Sequence, residues 1–154
     1  MEPGMSGPVV REALLDDAPA VSRLLGQLGY PASPDEMRGR LQALINHPDY
    51  VTFVAEISGE VVGLVGAQIG YSLEVTGRYG RLTGLVVEER WRGKGIGGSL
   101  MARIEDWIRQ QGSVIAALAS GSHYAEAHRF YRHRGYAETG IRLVKRLGSR
   151  VLPR

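Results

Sequence analysis

The stretch from residue 82 to residue 107 constrains the fold of this chain more than any other part. It begins with the apolar strand pattern Leu-Thr-Gly-Leu-Val-Val, passes through a glycine-rich loop at residues 92–98, and continues as a helix. The apolar residues of that helix recur at the spacing of a single helix face, at Leu100, Met101, Ile104, Trp107 and Ile108. The pattern predicts a strand, a tight loop and an amphipathic helix in direct succession.

The glycines of this loop predict that a ligand can approach the backbone closely. Residues without a Cβ at the start of a helix leave N–H groups free, and the helix dipole adds positive potential there. Such a helix end favours phosphate or pyrophosphate, and Arg92 and Lys94 add charge of the same sign. The sequence lacks the Lys-Ser/Thr pair of a Walker loop and the acid of the dinucleotide fingerprint. On these residues alone, anion binding and a glycine-rich turn with solvated basic residues both stay open.

The composition is that of one globular domain. A chain of 154 residues, 44% hydrophobic and 23% charged, is long enough for one core and short for two. It has no apolar run of membrane-spanning length, no export-signal pattern and no cysteine, so we predict a cytoplasmic protein without disulfides or membrane contact. The net charge of +3 forms no long basic stripe, which argues against nucleic acid as a partner. No ligand cluster has the spacing of a metal site.

The first third of the chain predicts a short strand followed by two helices. The strand covers residues 9–12, and the first helix begins near residues 16–17 and ends at Gly29. The second helix begins at the capping box of residues 33–36, with proline at its first position, and ends before Pro48. Both helices are expected to pack on the sheet and to border the substrate cleft if the chain is an enzyme.

The rest of the chain has the pattern of strands interrupted by two helices. Residues 50–57 and 61–69 flank the two-residue turn Ser58-Gly59, which is typical of a hairpin. Residues 70–80 are polar and rich in glycine and are predicted to form a loop. Further on, the patterns predict a strand at 79–87, a helix to about 111, a parallel strand at 114–119, a helix at 124–134 and a hairpin of 136–138 and 141–146 around Gly140. This order predicts a mixed sheet with helices on both faces.

Two motifs in this order resemble those of the GNAT N-acetyltransferase superfamily. Arg92-x-x-Gly95-x-Gly97 resembles the acyl-CoA loop of that family, and residues 127–136, which read AHRFY and end in Gly-Tyr, resemble its later helix and following strand. The resemblance implies a single acetyltransferase domain at residues 9–147, a disordered N-terminus at 1–8 and a basic tail at 148–154. It implies an α/β (α+β) fold, a mixed and mostly antiparallel sheet with a central splayed parallel strand pair.

The resemblance also implies acetyl-CoA as cosubstrate. Its pyrophosphate would lie on the glycine-rich loop. Its pantetheine arm would pair with a free edge of the central strand, which a bulge at Gly84 would part from the next strand. The alternative is that residues 85–87 form an ordinary core strand without a free edge. The position of Tyr124 is one at which many members carry an asparagine that contacts the cofactor. The cofactor-binding residues implied are Leu85, Val86, Val87, Arg92, Gly93, Lys94, Gly95, Ile96, Gly97, Gly98 and Tyr124.

The resemblance assigns one catalytic residue and leaves the base open. Tyr131 matches the family tyrosine that protonates the departing thiolate, and the alternative is a buried aromatic beside Phe130. Some relatives carry a glutamate that acts as the base on the strand before the last helix, and the matching position here is Ala119. Another common position for the base lies on the central strand, where this chain has Arg81 and Thr83. The remaining candidates for the base are His123, His128, Glu126, Glu74 and a chain of water molecules.

The acceptor implied by the resemblance is the primary amine of a small molecule. The nearest similarity is to bacterial acetyltransferases of aminoalkylphosphonates, although Arg81 and Gly84 replace two acids of those enzymes. Arg78 and Arg81 either pair with an anionic group of the acceptor or are surface arginines. A protein or peptide Nα-acetyltransferase and a non-catalytic acyl-CoA-binding module are the alternatives. By analogy we expect a homodimer, although the sequence indicates no interface.

Overall fold

A computed structural model describes residues 7–120 and 125–148 of the chain. The predicted disorder of residues 1–8 and the predicted tail therefore fall mostly outside the described part. The elements in chain order are β1 Val9–Glu12, α1 Ala18–Gln27, α2 Pro34–Ile45, β2 Tyr50–Ile57, β3 Glu60–Ser72, β4 Val75–Val87, α3 Ile96–Gln110, β5 Ala116–Ala117 and α4 Ala125–His133. Short 3-10 turns at Leu15–Asp17 and Glu89–Trp91 precede α1 and the glycine-rich loop.

The strands form one mixed sheet. Their order is β1-β2-β3-β4-β5, with antiparallel pairing up to β4 and parallel pairing between β4 and β5. The predicted mixed sheet, mostly antiparallel with one parallel pair, is confirmed. Because β4 lies between an antiparallel and a parallel neighbour, it is the strand on which the two halves of the sheet meet.

Helices cover both faces of the sheet and bury two apolar clusters. On one face α3 contributes Leu100 and Ile104, which pack with Phe53 of β2 in the larger cluster. On the other face α1 and α2 contribute Leu24 and Leu41, which pack with the next strand residue, Val54. The alternation of Phe53 and Val54 between the clusters reflects the two-residue period of a strand with both faces buried.

Local sequence signals set the boundaries of several elements. Ser33 accepts a hydrogen bond from the Glu36 amide at 3.1 Å, and Glu36 accepts one from the Ser33 amide at 3.0 Å, so the predicted capping box starts α2. Ser58 and Gly59 have φ values of 51° and 82°, as a two-residue hairpin turn between β2 and β3 requires. These local predictions are confirmed because each depends on a few adjacent residues.

The predicted loop at residues 70–80 is wrong. β3 and β4 continue through this region as a long hairpin, with Gly70 opposite Tyr79 and Ser72 opposite Val75. The glycines here serve packing as well as turning. A Cβ at Gly80 would lie 2.5 Å from Ile108 Cγ2, so glycine lets α3 lie directly on β4.

The C-terminal strands also differ from the prediction. The strand predicted at 114–119 is reduced to Ala116–Ala117, and residues 137–148 form no strand, so the predicted final hairpin is wrong. Within the described residues, no backbone hydrogen bond holds the segment 137–148. Its apolar side chains are exposed to solvent, with Ile141 82%, Leu143 84% and Leu147 90% exposed.

No described helix is long and apolar enough to cross a bilayer. The predicted cytoplasmic location stays a prediction.

Candidate active site

The glycine-rich loop between β4 and α3 has the backbone shape of an anion cradle. Gly93 and Gly95 have φ values of 76° and 84°, a left-handed conformation that side chains rarely adopt. Gly95 is the residue that caps the start of α3. A Cβ built at either glycine meets nothing within 4 Å, so the space above both is open.

The amide groups of this loop are free to bind a ligand. No acceptor in residues 7–120 or 125–148 takes a hydrogen bond from the backbone N–H groups of residues 93–98. These groups lie at the positive end of α3, which is a helix of 15 residues. Phosphate oxygens are strong acceptors that suit such a helix end. The loop therefore fits a phosphate or pyrophosphate group.

Charged side chains around the loop leave it positive. Two acids, Glu88 and Glu89, lie between β4 and the loop, and the Glu88 carboxylate is paired with Arg23 at 2.6 Å and with Arg90 at 3.1 Å. Arg92 donates from Nε to the carbonyl of Val87 at 3.0 Å and is exposed, as is Lys94. Glu88 therefore offsets these two arginines rather than the basic residues of the loop. Arg92 and Lys94 keep their charge available at the loop.

The start of α3 is packed against α4 on its other side. A Cβ at Gly97 would lie 3.4 Å from the ring of Phe130 and 3.8 Å from Val87 Cγ2. The nearest atom to a Cβ at Gly98 is Nη1 of Arg134, at 3.9 Å. Gly97 thus brings the end of β4, the loop and α4 together, and the open side of the loop is the one at residues 93–95.

Strands β4 and β5 part beside this loop. They pair at two positions, Gly80 with Ala116 and Arg81 with Ala117. On its other side β4 stays paired with β3 through Val87, with an irregularity where Gly84 faces Gly66 and Leu82 faces Ala67. Thr83 is the extra residue of this bulge, one position from the predicted Gly84. The resulting gap is the splayed parallel pair that the resemblance implied.

The hydrogen-bond register decides which groups of β4 face the gap. The Glu88 amide donates to the Val62 carbonyl at 2.8 Å, so Glu88 and Val62 form a hydrogen-bonded pair. In an antiparallel ladder such pairs alternate, so Val86 also directs its amide and carbonyl to β3. Leu85 and Val87 direct theirs to the open side. The side chain of Val86 is buried on the face of the sheet that α1 and α2 cover.

Tyr131 lies on the side of α4 that packs on the core. Its ring makes edge contacts with Phe130 and Tyr136, with ring centroids 5.4 Å and 5.8 Å apart. Burial raises the pKa of the Tyr131 phenol above its usual value, so the hydroxyl stays protonated near neutral pH. No described residue forms a hydrogen bond with this hydroxyl. A protonated phenol without a protein partner can donate to a ligand.

A polar network that sequence reasoning missed fixes the end of α4. Glu105 of α3 accepts from Arg134 at 2.9 Å and from the Tyr136 hydroxyl at 2.8 Å. Burial and the bond to Glu105 raise the pKa of Tyr136. The partners are about thirty positions apart in the chain, so no sequence spacing signals them. The network holds the helix that carries Tyr131 against α3.

The structure separates the other candidate residues. Arg78 is not free to bind an acceptor, since it bonds the Asp49 carboxylate at 3.4 Å and the Gln111 carbonyl at 3.1 Å. Glu74 lies at the tip of the β3–β4 hairpin, far along the strand from Leu85. Tyr124 and His123 lie outside the described residues, so their predicted roles stay predictions.

The chain is similar to known acetyltransferases in sequence and in structure. Its residues 13–136 match the sequence profile of the acetyltransferase (GNAT) family. An aminoalkylphosphonate N-acetyltransferase of Salmonella typhimurium is 30% identical over 143 residues, which cover 90% of each chain. An aminoglycoside N(6')-acetyltransferase of Stenotrophomonas maltophilia is 30% identical over 139 residues, which cover 87% of this chain and 89% of the relative. A solved aminoglycoside N-acetyltransferase in complex with CoA has a TM-score of 0.81 and 20% identity, covering 95% of this chain and 98% of that one.

These comparisons agree with the geometry. The structural likeness confirms the predicted fold, and the sequence matches confirm the predicted enzyme class. The matched region begins before α1 and ends at Tyr136, so it includes the loop, the parted strands and α4. The chain belongs to the GNAT acetyltransferase family.

Proposed function

We propose that this protein transfers an acetyl group from acetyl-CoA to the primary amine of a small molecule, by direct attack within a ternary complex. The observation that carries the proposal is the juxtaposition of an open loop of free amides with the free edge of β4. The loop offers donors to a pyrophosphate, and the strand edge offers a ladder to an amide-rich arm. The gap between β4 and β5 gives the arm a place to enter.

The residues assigned to the cosubstrate follow from this geometry. The amides of residues 93–98 would hold the pyrophosphate, with Arg92 and Lys94 supplying positive charge. The backbone groups of Leu85 and the amide of Val87 would pair with the pantetheine arm, because they face the gap, whereas the Val87 carbonyl already accepts from Arg92. Val86 would act as a core residue that fixes β4, since its backbone pairs with β3 and its side chain is buried.

The chemistry needs three contributions from the chain. Acetyl-CoA supplies an activated acyl group, in which the C–S bond breaks as the C–N bond to the amine forms. A strand-edge amide near Leu85 would donate to the oxygen on which negative charge develops. Tyr131 would donate its proton to the departing sulfur, and the raised pKa of its buried phenol keeps that proton in place near neutral pH. The proton lost by the amine goes to solvent or to a base that we do not assign.

The names of the relatives support a small acceptor. One relative is named for aminoalkylphosphonates and another for aminoglycosides, and both are acetyltransferases of small amines. Each is similar to this chain over nearly its whole length, so the whole domain is compared rather than the loop alone. The two acceptors differ strongly in charge, and the relatives do not decide between them.

We further propose that the protein is a homodimer, as expected by analogy. The exposed apolar side chains of the C-terminal segment, Ile141, Leu143, Val144 and Leu147, support an interface there. Light scattering after size-exclusion chromatography gives the mass directly. A dimer that is lost when residues 141–147 are removed supports the proposal, and a monomeric full-length chain contradicts it.

An acetyl-CoA-dependent thiol-release assay tests the activity. The amine panel contains aminoalkylphosphonates, aminoglycosides, polyamines and short peptides, and calorimetry measures CoA binding separately. Turnover of small amines, with mass spectrometry showing one added acetyl group, supports the proposal. Turnover of peptides alone, or CoA binding without turnover of any amine, contradicts it.

A further inference from the structure

One face of the sheet carries uncharged and cationic polar groups that extend from β2 to the edge of the gap at β4. Side chains on β2, β3 and β4 alternate between faces, and Phe53, Val65 and Leu82 all pack into the α3 cluster. Their neighbours in sequence therefore point to the opposite face, and residues paired across the strands share a face. Beyond the part that α1 and α2 cover, these positions are Tyr50, Thr52, Gln68, Arg81 and Thr83. None of them is a carboxylate.

Two glycines lie among these five polar positions, which we call the polar row. Gly66 lies in the middle of it, and a Cβ there would be 2.6 Å from Thr83 Oγ1 and 3.9 Å from Thr52 Oγ1. Gly84, opposite Gly66 in the ladder, has nothing within 4 Å of the position of a Cβ. The two glycines leave a shallow space with the Thr83 hydroxyl beside it. Thr83 is the extra residue of the bulge and has no ladder partner of its own, and its hydroxyl lies over Gly66.

The charges on the strands single out Arg81. Three arginines lie on the described strands, Arg11, Arg78 and Arg81. Arg11 binds Asp17 at 2.8 Å and Glu56 at 3.3 Å, and Arg78 binds Asp49. Arg81 is exposed and has no carboxylate partner in the described part of the chain. It also stands at the last pair before β4 leaves β5, which is the mouth of the gap.

We propose that Arg81 binds an anionic group on the acceptor, so that the substrates are short primary amines that carry a phosphonate, phosphate or carboxylate. This inference rests on the proposed function, because it places the acceptor in the same gap. Arg81 lies four residues from Leu85, at most about 13 Å at the rise of a strand. That span holds one arginine side chain and an acceptor of a few bonds. The Gln68 amide and Thr83 hydroxyl add neutral donors on the same face.

The same row disfavours a polycationic acceptor. A guanidinium without a counterion repels a second cation, and no carboxylate occupies the five positions of the row to offset it. Selection by charge needs such an asymmetry between attraction and repulsion. The expected order of kcat/KM is therefore anionic amines, then neutral amines of equal length, then aminoglycosides and polyamines.

Matched pairs of acceptors test this inference. The pairs are 2-aminoethylphosphonate with ethanolamine, and β-alanine with its amide, each with wild type, Arg81→Gln and Arg81→Lys. Arg109→Gln is the control, because Arg109 is an exposed arginine on α3 that pairs with Asp106. We expect Arg81→Gln to raise KM for the anionic member by about tenfold or more, as for loss of a charge-assisted bond. Neutral members should change by less than about twofold, and lysine should restore part of the loss.

The outcomes separate this inference from the proposed function. Turnover of amines with the same preference in wild type and Arg81→Gln overturns the role of Arg81 and leaves the acetyltransferase activity standing. If no amine is turned over, calorimetry of 2-aminoethylphosphonate with CoA-loaded protein gives a second readout. Binding that Arg81→Gln abolishes then supports the anion site alone, and absence of binding overturns it. Unchanged CoA affinity in the variants shows that they are folded.

Discussion

Replacement of Gly95 by alanine should weaken CoA binding and stability together. The φ of 84° at Gly95 costs an L-residue about 1–2 kcal/mol, since the Cβ approaches the following carbonyl. For a chain of this length that loss corresponds to a fall in melting temperature of about 3–6 °C. The added methyl meets no protein atom within 4 Å, so it would occupy the open space assigned to the pyrophosphate. We therefore expect the Kd for CoA to rise by at least about tenfold.

Gly26→Ala is the matched control for this experiment. Gly26 lies within α1, has no atom within 4 Å of a Cβ position, and lacks a positive φ. Alanine there should stabilise the protein by about 0.5–1 kcal/mol and leave CoA binding unchanged. Differential scanning fluorimetry and calorimetry measure the two effects. A Gly95→Ala protein that is less stable but binds CoA as wild type does would refute the assignment of the cradle.

The remaining predictions concern catalysis and packing. Tyr131→Phe should lower kcat by about a hundredfold or more with little change in CoA affinity. In wild type the raised pKa keeps this phenol protonated, so a stopped-flow pH profile should show no loss of activity from pH 7 to about 10. Gly80→Ala should destabilise the domain by about 1–3 kcal/mol in urea melts, because its Cβ would lie 2.5 Å from Ile108 Cγ2. Asp17 has a pKa lowered by its bonds to Arg11, so its stabilisation is present above the unfolded pKa and lost as pH falls below about 4. Asp17→Asn should remove that part of the pH dependence.

The site was predictable where it depends on adjacent residues. The glycines and basic residues at 92–98 indicate a cradle, because glycine adopts the positive φ values found at Gly93 and Gly95 without the steric cost of a Cβ. The helix that follows is read from its apolar period, and its buried face is Ile96, Leu100, Met101, Ile104 and Ile108. These features need no knowledge of what lies across the fold. The capping box of α2 is another case of the same kind.

Features that depend on distant partners could not be predicted. Glycine and polar residues at 70–80 favour a loop locally, yet the contact between Gly80 and Ile108 turns the same glycine into a packing surface for α3. The sequence alone does not distinguish Arg78 from Arg81. In the structure Asp49, which directly precedes β2, pairs with Arg78 and neutralises its charge. The strand at 114–119 depends on a neighbour beyond it, and residues 137–148 do not supply one.

The bulge at Thr83 links the cosubstrate side of the site to the acceptor side. One extra residue in β4 shifts the ladder with β3, and β4 keeps no pairing with β5 beyond Arg81. The same extra residue leaves the amides of Leu85 and Val87 facing the gap and carries the Thr83 hydroxyl over Gly66. In a strand without the extra residue, the same alternation would turn the amides of Leu85 and Val87 towards β3. In the proposed function, one backbone irregularity thus serves both the edge assigned to the thioester and the face assigned to the acceptor.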